Sequence, residues 1–405
     1  MTIIDDLCND SVWDSYLSLM IEKAGKKKPV ILEDLITNRR YREVVESIRQ
    51  GTYHFKPVRR IEIPKPGSSD KRVVYTCKRD DMTEHTVLRL FAYLLQSHDK
   101  LFANNLYSFR NEGGVQKAIA RMRRVKDMGS KYAYKVDIKQ YFNSVDQLKM
   151  LNVLKKTGID KDTINLISSI ICVPDVEFEG KPFRDEHRGI MPGLPFSSFL
   201  SNLYLSVMDH YFESKHVEYY RFADDILVLA DSEEELRAHI RYIHSTLKRR
   251  GLTINPDKEI RWKPHEKIEF LGLSIQDGVF DLNDKSLHRI ISKIRIEGRK
   301  YRKCVEKGEK KPNDAVHCFV VGMEHKFFGY VKNSRKCWTH WYFPLITTDV
   351  SLKKIDHQVQ EWIRYIVTGR HVKSNNSRIP YKYLSDMEYV TLVNRFYDRK
   401  RNTQS

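Results

Sequence analysis

The sequence predicts a mixed α/β domain over roughly residues 30–280, followed by a basic, helical C-terminal part. Three observations predict it. Short β-prone runs alternate with segments of helical period through the first two thirds of the chain. Two of those runs, YAYKVDI and YYRFADDILVLA, end or turn on aspartates. From residue 285 a helix with one apolar and one basic face replaces the strands.

In chain order, Val12, Trp13, Tyr16, Leu17, Met20 and Ile21 recur at helical spacing until the polar stretch before Pro29 ends the pattern. Tyr41, Val44, Val45 and Ile48 mark a second helix that stops at Gly51. RRIEIPKPGSSDKRVVY then sets two β-type runs around a Pro/Gly/Ser turn, a basic hairpin. Val87, Leu90, Leu94 and Leu95 mark a helix between Thr83 and Leu101, and a short one follows the turn-rich stretch Asn111 to Gly114. Tyr132 to Ile138 is an apolar strand carrying Asp137, which taken alone reads as a turn or cap residue, as most such aspartates are. Residues 189–208 begin as a Gly/Pro loop and turn into a helix through Phe199, Leu200, Leu203 and Val207.

YYRFADDILVLA reads as a hairpin with Asp224 and Asp225 at its tip. After it, Ser232 and Glu235 form a capping box, Leu236, Ile240, Ile243 and Leu247 an apolar stripe, and Gly251 a stop. Leu287, Ile290, Ile291 and Ile294 place the apolar face of the C-terminal helix, while residues 285–311 carry 11 Lys or Arg against three Glu. Residues 398–405 read as a frayed polar tail.

The composition excludes disorder as the state of the whole chain: 41% of the 405 residues are hydrophobic, with 22 Tyr, 18 Phe and 5 Trp to build cores. Lys and Arg outnumber Asp and Glu by 71 to 53, and a net charge of +18 suits a polyanion better than a small neutral metabolite. Six scattered cysteines without a CxxC pair fit reduced thiols in a cytosol. No apolar run approaches the ~20 residues of a membrane span, and Asp5 and Asp6 stand where a signal peptide wants positive charge. Cys318, His325, Cys337 and His340 can be drawn as a zinc set, but their spacing matches no compact zinc pattern.

Asp137, Asp224 and Asp225 supply three carboxylates from segments about 90 residues apart. If they converge, they are suited to hold a pair of magnesium ions ~4 Å apart, with manganese as a substitute, because such ions take oxygen ligands and keep room for water and phosphate. The order IPKPGSSDKRVV, YSFR, YKVDIKQYFNSVD, GIMPGLPFSSFLSN, YYRFADDILVLA, GLTINPDKE and IEFLGLSI, over residues 60–275, resembles the successive motifs of reverse transcriptases. It is most similar to the bacterial lineages related to group II introns and retrons, including phage-defence enzymes of the abortive-infection and unknown-group kinds.

The resemblance implies a right-hand polymerase: N-terminal helices and fingers over 1–130, a palm over 131–280 with a finger-like insertion at 150–188, and a helical thumb and C-terminal extension over 281–405. It implies Asp137, the carbonyl of Ile138, Asp224 and Asp225 as metal ligands. Phe142 would be the aromatic that closes the space beside the sugar C2′, Lys65 and Arg72 the grip on the incoming triphosphate, Lys258 a proton donor to the departing pyrophosphate, and Gly193 a point of close backbone approach to the substrate. The basic helix stands in the sequence where a thumb would clamp a duplex, with Arg289, Lys293, Arg299, Lys300 and Arg302 on phosphates.

Two departures stand out. Met191, Pro192 and Gly193 replace the usual Pro-Gln-Gly, and Ser108 occupies a position that is glycine in many intron relatives. No integrase, endonuclease or RNase H segment is recognisable, so polymerisation alone is expected. The expected activity is RNA-directed DNA synthesis from dNTPs on an RNA template, a dedicated non-coding RNA included, in antiphage defence, with an oligomer or a partner protein compatible. The rival readings are a template-independent or RNA-synthesising nucleotidyltransferase, and a catalytically silent, maturase-like RNA-binding factor.

Overall fold

The computed structural model describes residues 2–24, 30–64, 71–77, 82–110, 113–186, 188–329 and 337–404. The chain divides into two compact units: residues 1–118 with 132–261, and residues 119–131 with 262–405. The first carries strands β1 (Arg59–Pro64), β2 (Lys71–Thr76), β3 (Tyr132–Asp137), β4 (Asp175–Phe178), β5 (Lys181–Arg184), β6 (Tyr219–Phe222) and β7 (Asp225–Ala230), and β8 (Ile260–Trp262) lies at its end. The second carries β9 (Ile268–Phe270), β10 (Leu273–Gln276) and β11 (Val279–Leu282).

The predicted alternation of strands and helices is what the first unit shows. One sheet runs β6-β7-β3-β8, with β3 antiparallel to β7 and β7 antiparallel to β6. Tyr134, Val136, Ile226, Val228 and Tyr219 are buried in it. The helix Glu233–Arg250 packs on β3 and β7, burying Leu236, Ile240, Ile243 and Leu247, the stripe read from the sequence. Its N-terminus differs in one detail from the expected capping box. Ser232 accepts the Glu235 N–H, but Glu235 reaches back to the amide of Asp231 and not to that of Ser232, so the box closes one residue early.

The second sheet of this unit runs β2-β1-β4-β5. The basic hairpin forms as predicted, antiparallel from Arg59↔Thr76 to Pro64↔Lys71, and its connecting residues 65–70 lie outside the described residues. The β4–β5 hairpin extends it through a short parallel contact, Arg59↔Glu177 and Arg60↔Phe178. Arg60 fastens the seam: its guanidinium lies over Phe178 at 4.7 Å and pairs with Asp185 at 3.1 Å, while Asp185 also accepts the Tyr75 hydroxyl at 2.7 Å. Part of the segment read as finger-like, residues 150–188, therefore shares a sheet with the basic hairpin. Among the N-terminal helices, Trp13 stacks on Tyr41 at 4.0 Å and donates to the Leu7 carbonyl at 2.7 Å.

The second unit is mostly helical, as predicted, but its borders differ from the expected 130/131 and 280/281. Among the described residues strands β9, β10 and β11 pair only with one another, so the IEFLGLSI segment belongs to this unit and not to the sheet that holds Asp137. The helices Asp284–Glu306, Pro312–Phe328, Val350–Thr368 and Leu392–Gln404 pack together. Residues 398–404 are not a frayed tail, because the last helix runs through Gln404. Lys400 and Arg399 reach the carbonyls of Thr347 and Thr339, and buried Asp356 accepts the N–H groups of Leu392 and Val393 at its start. Among the described residues no helix is long and apolar enough to cross a membrane.

A glycine sets how closely two helices of this unit approach. Gly298 lies against the Trp362 ring, and a β-carbon there would fall inside the ring's contact surface, whereas one at Gly322 would meet only the Tyr301 hydroxyl at 3.9 Å. Gly298→Ala is expected to lower unfolding free energy by about 1–3 kcal/mol through forced separation of the helices. Gly322→Ala should be neutral or stabilising by up to about 1 kcal/mol from helix propensity; chemical denaturation of the two variants compares them directly.

Candidate active site

Two strand ends bring the acidic residues together. In the β3–β7 ladder Asp137 stands directly opposite Asp225, and Asp224 fills the turn between β6 and β7. The Ile138 N–H donates to the Asp224 carbonyl at 3.2 Å, tying the exit of β3 to that turn. On the other side of β3 the Asn255 N–H donates to the Asp137 carbonyl at 2.8 Å, and the Lys139 N–H to that of Thr253 at 2.9 Å. That pairing delivers the short turn Pro256–Lys258 to the same place, where Lys258 Nζ lies 2.8 Å from Asp137 Oδ2. Asp137, Ile138, Asp224, Asp225 and Lys258 are thus neighbours.

Crowding shows in the electrostatics. Burial holds the Asp224 carboxyl above the usual carboxylate range, the facing charge of Asp137 adds to this, and Lys258 and Arg72 act against it. Burial pushes Asp225 up to about 6, opposed by Lys135 and reinforced by Asp224 and Asp137. Arg72, on β2, is therefore within electrostatic reach of the acidic residues, while Lys65 lies outside the described residues.

Each outer carboxylate is turned toward a lysine, Asp137 to Lys258 and Asp225 to Lys135 at 3.5 Å. Among the described residues no three His, Cys, Asp or Glu side chains form a ready metal cage, and this applies to Cys318, His325, Cys337 and His340 as well. The donor chemistry at the strand ends nevertheless fits a hard cation. All three side chains offer oxygen, and Asp225 Oδ1 is shut off from solvent without a hydrogen bond.

Phe142 follows in the short helix Tyr141–Ser144, half-buried at the edge of the core, with edge-on contacts to Phe109 at 6.2 Å and Tyr141 at 5.8 Å. Gly193 makes the close approach expected of it, but toward protein. At φ +107° its missing β-carbon makes room for the Tyr75 carbonyl on β2, and the Tyr75 N–H donates to Pro192 at 2.7 Å. The Met-Pro-Gly loop is thereby locked to the β2 backbone, which is sufficient reason for glycine at that position. On the basic helix Arg289, Lys293, Arg299 and Lys300 are exposed. Arg302 is not free for phosphate: it holds the Ile366 carbonyl at 3.0 Å and Glu306 at 2.9 Å, so its role is corrected to helix packing.

Several residues that build the site escaped the sequence reading. Lys135 was signalled by strand period, since residues two apart share a face and Asp225 lies diagonally across. Arg221 and Asp209 carried no signal. Arg221 is fully buried in a strand, where it pairs with the equally buried Asp209 through Nε at 2.7 Å and Nη2 at 2.5 Å. Arg221 also donates to the carbonyls of Asn202 at 2.9 Å and Ala223 at 3.2 Å, and Tyr219 donates to Asp209 at 3.0 Å.

The family of reverse transcriptases (RNA-dependent DNA polymerases) matches residues 63–275, just over half of the chain, and covers Asp137, Asp224 and Asp225. The chain belongs to the reverse transcriptase family. Among individual relatives it is 21% identical over 243 residues to the group II intron-encoded protein LtrA of Lactococcus lactis subsp. cremoris, covering 59% of this chain and 38% of that protein. It is 23% identical over 172 residues to the retron Ec86 reverse transcriptase of Escherichia coli, covering 41% of this chain and 49% of that one. The chain thus spans less than half the length of these curated relatives. A looser likeness joins it to apo telomerase from Candida tropicalis, with a TM-score of 0.45 at 13% identity over 89% of this chain and 72% of that one. Family membership and the mixed sheet with its helical C-terminal unit give the right-hand polymerase class expected from the sequence.

The buried Arg221–Asp209 pair generates a stability prediction. Asp209→Ala leaves a guanidinium without its counter-charge in the interior and is expected to lower unfolding free energy by about 3–5 kcal/mol, read by urea denaturation.

Proposed function

We propose that the chain is an RNA-directed DNA polymerase that extends a primer with dNTPs. The observation that carries this is the meeting of Asp137, Asp224 and Asp225 at paired strand ends, with Lys258 and Arg72 beside them, in a chain of the reverse transcriptase family. Asp137, Asp224, Asp225 and the Ile138 carbonyl would hold two magnesium ions, or manganese in their place. When bound, such ions activate the primer 3′-hydroxyl and stabilise the charge of the leaving pyrophosphate.

The protein's own groups carry the remaining work. Arg72 and Lys65 grip the triphosphate, Arg by its planar fork and Lys as a point charge. Lys258 keeps an exposed ammonium able to leave Asp137 and give a proton to pyrophosphate. Phe142 sets a steric limit beside the sugar, admitting a hydrogen at C2′ and rejecting a hydroxyl. Arg289, Lys293, Arg299 and Lys300 bind the phosphates of RNA template and DNA product without reading sequence, so affinity falls with salt. Service on a dedicated non-coding RNA in antiphage defence, in the bacterial cytoplasm, is the finer part of the proposal. The motif resemblance to phage-defence lineages motivates it, and sequencing of co-purified nucleic acid tests it.

Primer extension with purified protein, an RNA template, a DNA primer, dNTPs and magnesium tests the chemistry. The double variant Asp224→Asn, Asp225→Asn should extend on the order of a thousandfold more slowly, and extension at the wild-type rate refutes the assignment. Phe142→Ala should raise ribonucleotide use relative to deoxynucleotide by about tenfold to a hundredfold in single-nucleotide kinetics, leaving dNTP incorporation in place.

A further inference from the structure

The turn that carries Asp224 is held in an unfavourable backbone conformation by the side chains of Arg221, two residues away, and Ser108, remote in sequence. Ala223, the first turn residue, has φ +57°, the left-handed region that β-carbon-bearing residues avoid. Both of its peptide groups are engaged from the interior. Its N–H donates to Ser108 Oγ at 2.9 Å, and its carbonyl accepts Arg221 Nη1 at 3.2 Å. Ser108 is 0% exposed, and its hydroxyl donates onward to Asn202 Oδ1 at 3.0 Å. Asn202 returns a bond from Nδ2 to the Ser108 carbonyl at 2.8 Å, and its own carbonyl accepts Arg221 Nη2 at 2.9 Å.

The segment bearing Ser108 is itself fixed to β6. The Tyr107 N–H donates to the Arg221 carbonyl at 3.0 Å, and the Arg221 N–H to the Asn105 carbonyl at 3.1 Å. Ser108 therefore reaches the turn from a rigid neighbour and closes a ring of interior bonds through Asn202 and Arg221. A glycine or alanine at 108 has no side-chain acceptor for the Ala223 N–H, which lies in the interior where water cannot replace it.

We propose that Ser108 is a positioning residue for Asp224. Its hydroxyl locks the left-handed Ala223, so the Asp224 carboxylate is presented toward Asp137 and not free to swing with the turn. This rests on the polymerase reading for its effect on turnover, and independently of that reading it sets how well the three carboxylates hold a divalent cation. Ser108 is shut off from solvent and bonded to the protein interior, so its loss is expected to act on geometry alone.

The experiment compares wild type with Ser108→Ala and with Ser108→Cys, which keeps the side-chain bulk but accepts hydrogen bonds weakly and guards against failure of the smaller variant to fold. Four readouts are taken: melting temperature, affinity for an RNA–DNA primer-template in EDTA, Mn2+ binding by electron paramagnetic resonance, and steady-state dNTP kinetics. The expected result in both variants is a kcat about tenfold lower with dNTP KM and duplex affinity within twofold of wild type. Mn2+ binding should weaken severalfold, and extra magnesium should restore part of the turnover. A folded variant with unchanged kcat and Mn2+ affinity overturns the proposal. So does a fall in duplex affinity and kcat in step with melting temperature, which marks a general structural role. If wild type proves unable to polymerise, the function fails but the Mn2+ arm still decides the role of Ser108.

Discussion

The site depends on one fully buried ion pair. Arg221 and Asp209 have no solvent contact, and the guanidinium distributes its donors between that carboxylate and the carbonyls of Asn202 and Ala223. A charge so placed costs several kcal/mol to desolvate and is retained only where geometry and partners are nearly complete. The constraint runs outward from there. It docks the helix Ser206–Ser214 against β6, fixes the β6–β7 turn, and lines the inner wall along which residues 105–108 run. The register that sets Asp225 opposite Asp137 is built on that turn, so a salt bridge without catalytic chemistry governs where the acids stand.

Much of this was legible in the sequence, for identifiable reasons. β3, β6 and β7 announced themselves because β-branched and aromatic residues fill short runs bounded by turns, and the helix Glu233–Arg250 because its stripe, cap and terminal glycine agree. The borders of the second unit were not legible. β9 to β11 are short apolar runs like the strands of the first sheet, and the pairing partners separate them. The last helix was missed because its polar residues suggested solvent, while its anchors, Asp356 and the carbonyls of Thr339 and Thr347, are contributed from elsewhere in the chain.

Within the site, the sequence marks where polar residues interrupt the strands but not what supports them. Asp137, Asp224, Asp225 and Lys258 sit at ends of strands or in tight turns, where a polar residue interrupts an apolar run and draws notice. Arg221 sits inside a strand and Asp209 inside a helix, where each looks like an ordinary surface charge until its burial is known. Gly193 illustrates the converse. A glycine in a Pro/Gly loop invites a substrate explanation, yet the backbone it lies against is that of Tyr75. A motif thus marks where the chain is constrained without saying which contact imposes the constraint.

The surrounding cations complete the physical logic of the acid cluster. Three carboxylates within mutual reach repel one another, and burial of Asp224 and Asp225 intensifies the repulsion by weakening the screening of water. Lys135 and Lys258 each face one outer acid, and Arg72 acts on Asp224 from a separate strand. None of the three surrounds the cluster, so the balance is left partial, with Asp225 still pushed upward. A site balanced in this way can fold by its own residues and yet gain from a doubly charged ligand, because the exposed Lys258 can swing from its carboxylate without unfolding anything. The rigid part and the yielding part are divided accordingly: backbone pairing and the Arg221–Asp209 lock hold the acids, and the long, exposed Lys258 accommodates whatever charge arrives.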